Sequence, residues 1–144
     1  MKSKERNRVL EYEVLENEGM FVVQEKGTKY KINLRSRLLN FSIAVLKFLI
    51  GLPQKRELDV IKYQLSKSAT SIGANYEESQ TATYNEFIQR IRISLREANE
   101  TIYWLKIIDA LNLGSTENRI KLINEADQIG KILGSIVSKA NQRK

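Results

Sequence analysis

The chain has 144 residues, of which 42% are hydrophobic and 28% are charged, with one proline. This length fits one domain with a real core, and the composition is typical of a globular, largely helical protein. Cysteine and histidine are both absent, which excludes disulfide frameworks, cysteine–histidine zinc clusters and nucleophiles that need a histidine base. We therefore predict a protein that is not an enzyme and that has no metal site and no cofactor.

The charge pattern bears on partners and on location. The N-terminus lacks the apolar run of a signal peptide, and the most apolar segment, residues 34–52, is interrupted by Arg35, Arg37 and Lys47, which are costly in a bilayer. We expect a cytoplasmic protein that does not span a membrane. The net charge of +7 favours polyanion partners, because each cation that faces a phosphate releases condensed counterions. The alternative is a basic surface that only contacts solvent.

Two short extended runs stand out near the N-terminus, at residues 10–15 and 20–24. The connection between them ends in Gly19, which suits a β-hairpin. A lone hairpin is marginal in water unless it packs on something, so a flexible segment is the alternative. We assign residues 1–33 to an N-terminal extension and residues 34–144 to a helical bundle.

The first clear helix is predicted over residues 34–50, and it has two apolar stripes instead of one. A helix that is apolar nearly all round must be buried nearly all round. The second stripe therefore predicts an oligomer interface, or a site covered by the N-terminal segment. Gly51 is expected to end the helix as a left-handed cap, followed by Pro53. The core stripe is Leu38, Phe41, Val45, Phe48 and Leu49, and the second stripe is Leu39, Ile43, Leu46 and Ile50.

The second helix is predicted over residues 55–79, with one apolar stripe that ends at Tyr76. Its middle is rich in small residues such as Ser68 and Gly73. Small side chains allow a neighbouring backbone to approach closely, whereas helix propensity alone disfavours them. We interpret this segment as a site of close helix packing.

Two more helices complete the domain. Thr83 and Glu86 have the spacing of a capping box, which begins the third helix, and Ser115 is placed to cap the fourth. The third helix has a second apolar strip with Ile93 and Trp104, which we assign to the oligomer interface. Four amphipathic helices with short connections predict an all-α fold, an antiparallel up-down four-helix bundle. The core stripe of the third helix is predicted to be Phe87, Ile91, Leu95, Ala98, Ile102 and Leu105.

Cationic and aromatic side chains are interleaved on the second and third helices. Arginine binds phosphate in a bidentate manner, and aromatic rings stack on bases. The alternative is a solvated face whose aliphatic stems lie over apolar surface. The candidate nucleic-acid-binding residues are Arg92, Arg96, Tyr103, Arg56, Tyr63 and Lys67.

Two motif regions resemble a known family, the small bacterial four-helix-bundle proteins called 23S rRNA intervening-sequence proteins, or S23. The resemblance covers roughly residues 34–137. Residues 1–33 are an addition that the family does not explain. The motifs are TSIGAN at residues 70–75, Glu77, Glu78, Glu86, Phe87, and REANETIYWL at residues 96–105.

This resemblance implies a left-handed bundle that assembles into a ring, a homopentamer. A related protein, the accessory variability protein of diversity-generating retroelements, is a basic pentamer that binds nucleic acid and a reverse transcriptase. The resemblance therefore implies a homo-oligomeric accessory protein that binds RNA or DNA and assists a reverse transcriptase. We interpret the motif residues Asn75, Glu77 and Glu78 as structural, because an amide can bond the backbone and carboxylates can pair with arginines of a neighbouring helix or subunit.

Two hypotheses of function remain. The first is a non-enzymatic, nucleic-acid-binding accessory protein, which the positive charge and the basic strips favour. The second is a protein–protein interaction scaffold with no nucleic-acid role, which the surplus apolar stripes and the interspersed Glu97 and Glu100 favour. Salt separates the two, because phosphate contacts weaken steeply as salt rises and apolar contacts do not.

Overall fold

The computed structural model describes residues 11–14, 20–25 and 28–142, with side chains described from residue 33 onward. Four helices pack against one another, each on the next in sequence and the first on the fourth. This confirms the predicted bundle of four helices. The elements are β1 Glu11–Val14, β2 Met20–Glu25, β3 Thr28–Asn33, α1 Leu34–Ile50, α2 Asp59–Ser79, α3 Tyr84–Ala110 and α4 Thr116–Gln142.

The core is formed by one apolar stripe from each helix. Val45 of α1, Leu65 of α2, Ile91 of α3 and Ile129 of α4 are all fully buried. Their neighbours recur at three and four residues along each helix, which keeps them on one face because an α-helix turns every 3.6 residues or so. Burial of such a side chain contributes roughly 2 kcal/mol, so the stripes hold the helices together.

Short strands precede the bundle. β1 and β2 are antiparallel and pair Glu11 with Gln24, and the connection predicted between them lies outside the described residues. β2 also pairs with β3, in antiparallel register from Met20 opposite Asn33. The order of the sheet is β1-β2-β3, so its last strand was missed by the sequence analysis. β1 contacts α4, while β2 and β3 contact α1.

Three helix boundaries follow local chemistry. The Asn33 side chain accepts from the Ser36 amide at 3.1 Å and so caps α1. At the start of α3 the Thr83 amide donates to Glu86 Oε2 at 3.0 Å, as a capping box requires. The Ser115 hydroxyl accepts from the Asn118 amide at 3.1 Å and caps α4. The two caps predicted at Thr83 and Ser115 are confirmed.

The structure corrects three details of the prediction. Gly51 has φ −79° and is right-handed, so α1 ends without a left-handed residue. A 3-10 turn occupies Arg56–Leu58, so α2 begins at Asp59, later than predicted. The buried seam of α3 is also rotated, because polar side chains share it and bond across to α2. This seam consists of Ile88, Ile91, Ser94, Ala98, Thr101, Leu105 and Ile108, while the predicted core residues Phe87, Leu95 and Ile102 are half-buried beside it.

The turn between α3 and α4 is organised by Arg119, a buried cation. Its Nε donates to Asp109 Oδ1 at 2.8 Å, and its Nη1 donates to the Leu113 and Gly114 carbonyls at 2.9 and 2.6 Å. Its Nη2 donates to the Thr116 hydroxyl at 3.1 Å. One guanidinium therefore satisfies two backbone carbonyls of the connection between α3 and α4.

Candidate functional site

The motif residues of α2 have structural roles in this chain. Asn75 Nδ2 donates to the Ser71 carbonyl at 2.9 Å, and its Oδ1 accepts from Arg90 at 3.2 Å. Glu77 pairs with Arg35 of α1 at 2.6 Å, and Glu78 pairs with Arg90 of α3 at 2.8 Å. The motif thus ties α2 to both neighbouring helices, as the structural interpretation predicted.

Small residues of α2 meet α3 through buried hydroxyl groups. Thr101 Oγ1 bonds to Ser68 Oγ at 2.9 Å, and the Ser94 hydroxyl donates to the Ile72 carbonyl. Each of the three hydroxyl side chains is almost fully buried, and a buried polar group must be bonded to avoid a desolvation cost. This seam fixes the antiparallel register of α2 and α3, and so it positions their outer faces.

Five of the six candidate nucleic-acid-binding residues lie on those outer faces, and the sixth, Arg56, was predicted on the second helix but lies in the 3-10 turn just before α2. On α3 they recur at four and seven residues, which places Arg92, Arg96 and Tyr103 opposite the buried seam. Both tyrosines are well exposed, Tyr63 at 64% and Tyr103 at 60% of their full area. All four cations, Arg56, Lys67, Arg92 and Arg96, are also exposed.

These cations differ from the other arginines of the bundle in their partners. Arg35, Arg37, Arg90 and Arg119 each pair with a carboxylate, at 2.5 to 2.8 Å. Within the described residues no ion pair includes any of the four candidate cations. Arg92 donates to the neutral amide oxygen of Asn141, Oδ1, at 2.8 Å.

Carboxylates share part of this surface. Glu97 of α3 is half-buried between the two helices. Burial and the neighbouring Glu100 carboxylate raise the pKa of Glu97 above its ordinary value, although Lys67 and Arg96 act in the opposite direction. Lys67 of α2 and Arg96 of α3 thus act on this carboxylate from two helices. Glu97 therefore weakens the positive potential near Lys67 and Arg96.

The predicted interface residue Trp104 lies against the predicted nucleic-acid residue Tyr103. Their ring centroids are 5.1 Å apart and the rings cross at 68°, an edge-to-face contact. Trp104 Nε1 donates to Glu100 Oε1 at 3.1 Å, which holds the indole. Trp104 and Ile93 are both half-buried. Two surfaces that the sequence analysis treated separately thus overlap on α3.

The second stripe of α1 lies on a different face, toward α2. The Ser42 hydroxyl donates to the Ala69 carbonyl of α2 at 3.3 Å. Ile43 of the stripe lies about 100° further round the helix than Ser42, away from the core face. The four members of the stripe are exposed in the single chain: Leu39 61%, Ile43 42%, Leu46 38% and Ile50 83%. A single exposed apolar side chain is common on protein surfaces. A contiguous row of four such side chains indicates an interaction surface.

A polar groove between α1 and α4 is a feature that the sequence analysis missed. Its volume is about 860 Å³, and Arg37 crosses it to Glu125 and Gln128, at 3.0 and 2.7 Å. No local motif marks these residues, because they come together only when α1 packs on α4. Among the described residues no cluster of acidic side chains could hold a metal ion. None of the described helices combines the length and the apolar character that crossing a bilayer requires.

Comparisons with known proteins match this architecture. A family model described as 23S rRNA-intervening sequence protein matches residues 31–135. A similar solved structure is that of a protein with unknown function from the S23 ribosomal protein family of Bacteroides thetaiotaomicron VPI-5482, at 1.70 Å resolution. It is 32% identical, with a TM-score of 0.64, and the alignment covers 72% of this chain and 97% of that one. A search of curated proteins gave no match. The chain therefore belongs to the family of 23S rRNA-intervening sequence proteins.

Proposed function

We propose that this protein is a non-enzymatic, homo-oligomeric accessory protein that binds the phosphate backbone of RNA or DNA along the outer faces of α2 and α3. One observation carries the proposal: four exposed cations have no carboxylate within ion-pair distance in the described chain, and three of them, Lys67, Arg92 and Arg96, lie on the same helix faces as two exposed tyrosines. A carboxylate beside an arginine offsets its charge and weakens its attraction for a phosphate, whereas these cations have no carboxylate within ion-pair distance in the described chain. The net charge of +7 adds long-range attraction.

Self-association strengthens such a surface. The row of four exposed apolar residues on α1 is proposed to join copies of the chain, as a homopentamer if the ring implied by the family resemblance holds. Repeating a modest cationic patch around an assembly raises its avidity for a long polyanion, because each further contact becomes intramolecular. A reverse transcriptase is the protein partner that the resemblance implies.

The test is a salt titration of nucleic-acid binding. We expect the wild-type chain to bind RNA and DNA of unrelated sequence, more weakly at ~200 mM than at ~50 mM salt. Arg92→Gln with Arg96→Gln should weaken binding about equally for all sequences, since phosphate contacts carry no sequence information. The slope of log K against log salt should fall by about 2, close to 0.9 per lost contact.

A matched control removes the same charge elsewhere. Arg35→Gln with Arg90→Gln also removes two positive charges, but from arginines whose charge is already neutralised by Glu77 and Glu78. Its salt slope should stay close to that of the wild type. Equal losses in both double variants would mean that net charge, and not this surface, drives binding. No binding by the wild type at ~50 mM salt would refute the proposal.

The second candidate function is an interaction scaffold, and the α1 stripe is the observation that favours it. Leu39 and Ile50 are more than half exposed, and neither has a role in the bundle core. A scaffold of this kind would bind its protein partner through apolar contacts that respond little to salt. If the wild type binds no nucleic acid, this candidate is the one that the α1 stripe supports.

A further inference from the structure

We infer that the α2–α3 surface takes single-stranded nucleic acid in preference to duplex, with Tyr63 and Tyr103 as platforms for unpaired bases. This inference rests on the proposed function and names the substrate class of the same surface. Its starting point is that the two largest exposed side chains on these outer faces are aromatic, and each is at least 60% accessible. An exposed tyrosine on a cationic surface is suited to base stacking, which every unpaired base allows.

The helix register places the two rings at one level of the bundle. The Ser94 hydroxyl meets the Ile72 carbonyl, and the helices run in opposite directions. Tyr63 lies nine residues before Ile72, and Tyr103 lies nine residues after Ser94. Both rings are therefore displaced by about 13 Å along the axis toward the same end, at a rise of 1.5 Å or so per residue.

Cations lie along the axes of α2 and α3, on the same helices as the two tyrosine rings. Arg92 and Tyr103 are eleven residues apart on α3, and Lys67 lies four residues, about one turn, after Tyr63 on α2. The α3 span is about 16 Å long, which a strand of a few nucleotides covers. A short strand can therefore contact the arginines through its phosphates while a base reaches a tyrosine. In a duplex the base faces are stacked internally, so the rings add nothing to its binding.

Trp104 provides a reporter of ring contact. It is the single tryptophan of the chain, and its ring centroid is 5.1 Å from that of Tyr103. A base that stacks on Tyr103 changes the surroundings of this indole. A phosphate held by Arg92, about three turns of α3 away, does not reach it. Single-stranded oligonucleotide should therefore alter Trp104 fluorescence, and the matched duplex should not.

The experiment compares the binding of the full chain to a labelled single strand, about twice as long as the helix span described above, with its binding to the matched duplex. Tyr63→Leu with Tyr103→Leu should weaken single-strand binding by about fivefold for each ring, the lower end of the range for stacking on an aromatic side chain. Duplex binding should stay unchanged. Tyr63→Phe with Tyr103→Phe keeps the ring faces and should bind the single strand as the wild type does. Helical content is checked in both variants by circular dichroism.

The outcomes separate this inference from the function on which it rests. If the leucine variant binds single strand and duplex as the wild type does, while the Arg92 and Arg96 variant has lost both, base stacking is overturned and backbone binding stands. Equal loss of single-strand and duplex binding in the leucine variant would also overturn the single-strand preference. If the wild type binds neither probe, the proposed function and the inference fail together.

Discussion

Replacing Ile43 with aspartate tests whether the α1 stripe joins copies of the chain. In the single chain Ile43 is 42% exposed, so somewhat more than half of its side chain is already covered. Full burial of an isoleucine is worth roughly 2 kcal/mol, and the fold should therefore lose only about 1 kcal/mol. In an oligomer the rest of the side chain is covered, and an unpaired carboxylate there costs several kcal/mol, of order 3 to 5.

Because the expected cost to assembly exceeds the expected cost to the fold, the assay must measure oligomeric mass and helical content separately. A cost of about 3 kcal/mol at each contact raises the dissociation constant by roughly 100-fold, so the variant should be a folded monomer at micromolar concentration. Multi-angle light scattering measures the mass, and circular dichroism measures the helices. Asn40→Asp puts the same carboxylate on an exposed position of α1 outside the stripe, and it should stay assembled. Val45→Asp, at a position with no exposed area, should unfold the chain.

Two results would refute this reasoning. A wild type that is monomeric at micromolar concentration leaves nothing for the stripe to join. An Ile43→Asp variant with the mass of the wild-type oligomer places the interface elsewhere. Trp104→Asp then becomes the informative change, because the indole is half-buried beside Tyr103.

Three further predictions concern the fold and its charges. Arg119→Met should destabilise the chain by about 3 kcal/mol, because it removes a buried cation and its hydrogen bonds to carbonyls. The control Lys121→Met breaks an exposed ion pair with Glu117 and should cost less than about 0.5 kcal/mol. Similar urea midpoints for the two variants would contradict this prediction. In Gly134→Ala the added Cβ meets no atom within 4 Å, so the variant should stabilise α4 by roughly 0.5 kcal/mol. Gly114→Ala should destabilise the chain, because φ is +70° at Gly114 and the added Cβ would lie 2.6 Å from Phe48. Thermal melts of the two variants test both expectations. The raised pKa of Glu97 means that the folded chain holds this proton more tightly than the unfolded chain, so Glu97 ionisation lowers stability as the pH rises above the ordinary glutamate range. Glu97→Gln should remove this loss of stability at higher pH. If thermal melts of the variant show the same pH dependence as those of the wild type, Glu97 is not responsible.

The sequence was sufficient for the bundle because its signals are local. Apolar spacing of three and four residues, the Thr83 and Ser115 caps and short connections each depend on residues close in the chain. The α3 core was less predictable, since Ser94 and Thr101 look like surface residues until Ile72 and Ser68 of α2 supply their partners. Hydroxyl groups are buried where a partner is available, and that partner is set by tertiary packing.

The candidate site also depends on tertiary packing that the sequence does not reveal. Residue types and spacing place Arg92, Arg96 and Tyr103 together on one helix face, but they do not reveal which cations already have a carboxylate partner. Arg90 and Arg92 are two residues apart, yet Arg90 pairs with Glu78 while Arg92 donates to Asn141. Both partners come from other helices. The pairing that separates these two arginines is therefore a property of the fold and not of the local sequence.

The contact between Tyr103 and Trp104 also limits how assembly and nucleic-acid binding can coexist. A partner subunit that covered Trp104 would cover the edge of Tyr103 as well, because the two rings touch. The α1 stripe lies on another face of the bundle, so an interface built there leaves the α3 surface open. If both functions operate, self-association must depend mainly on Ile43 and its neighbours, and loss of assembly must lower avidity without removing the binding site of each copy.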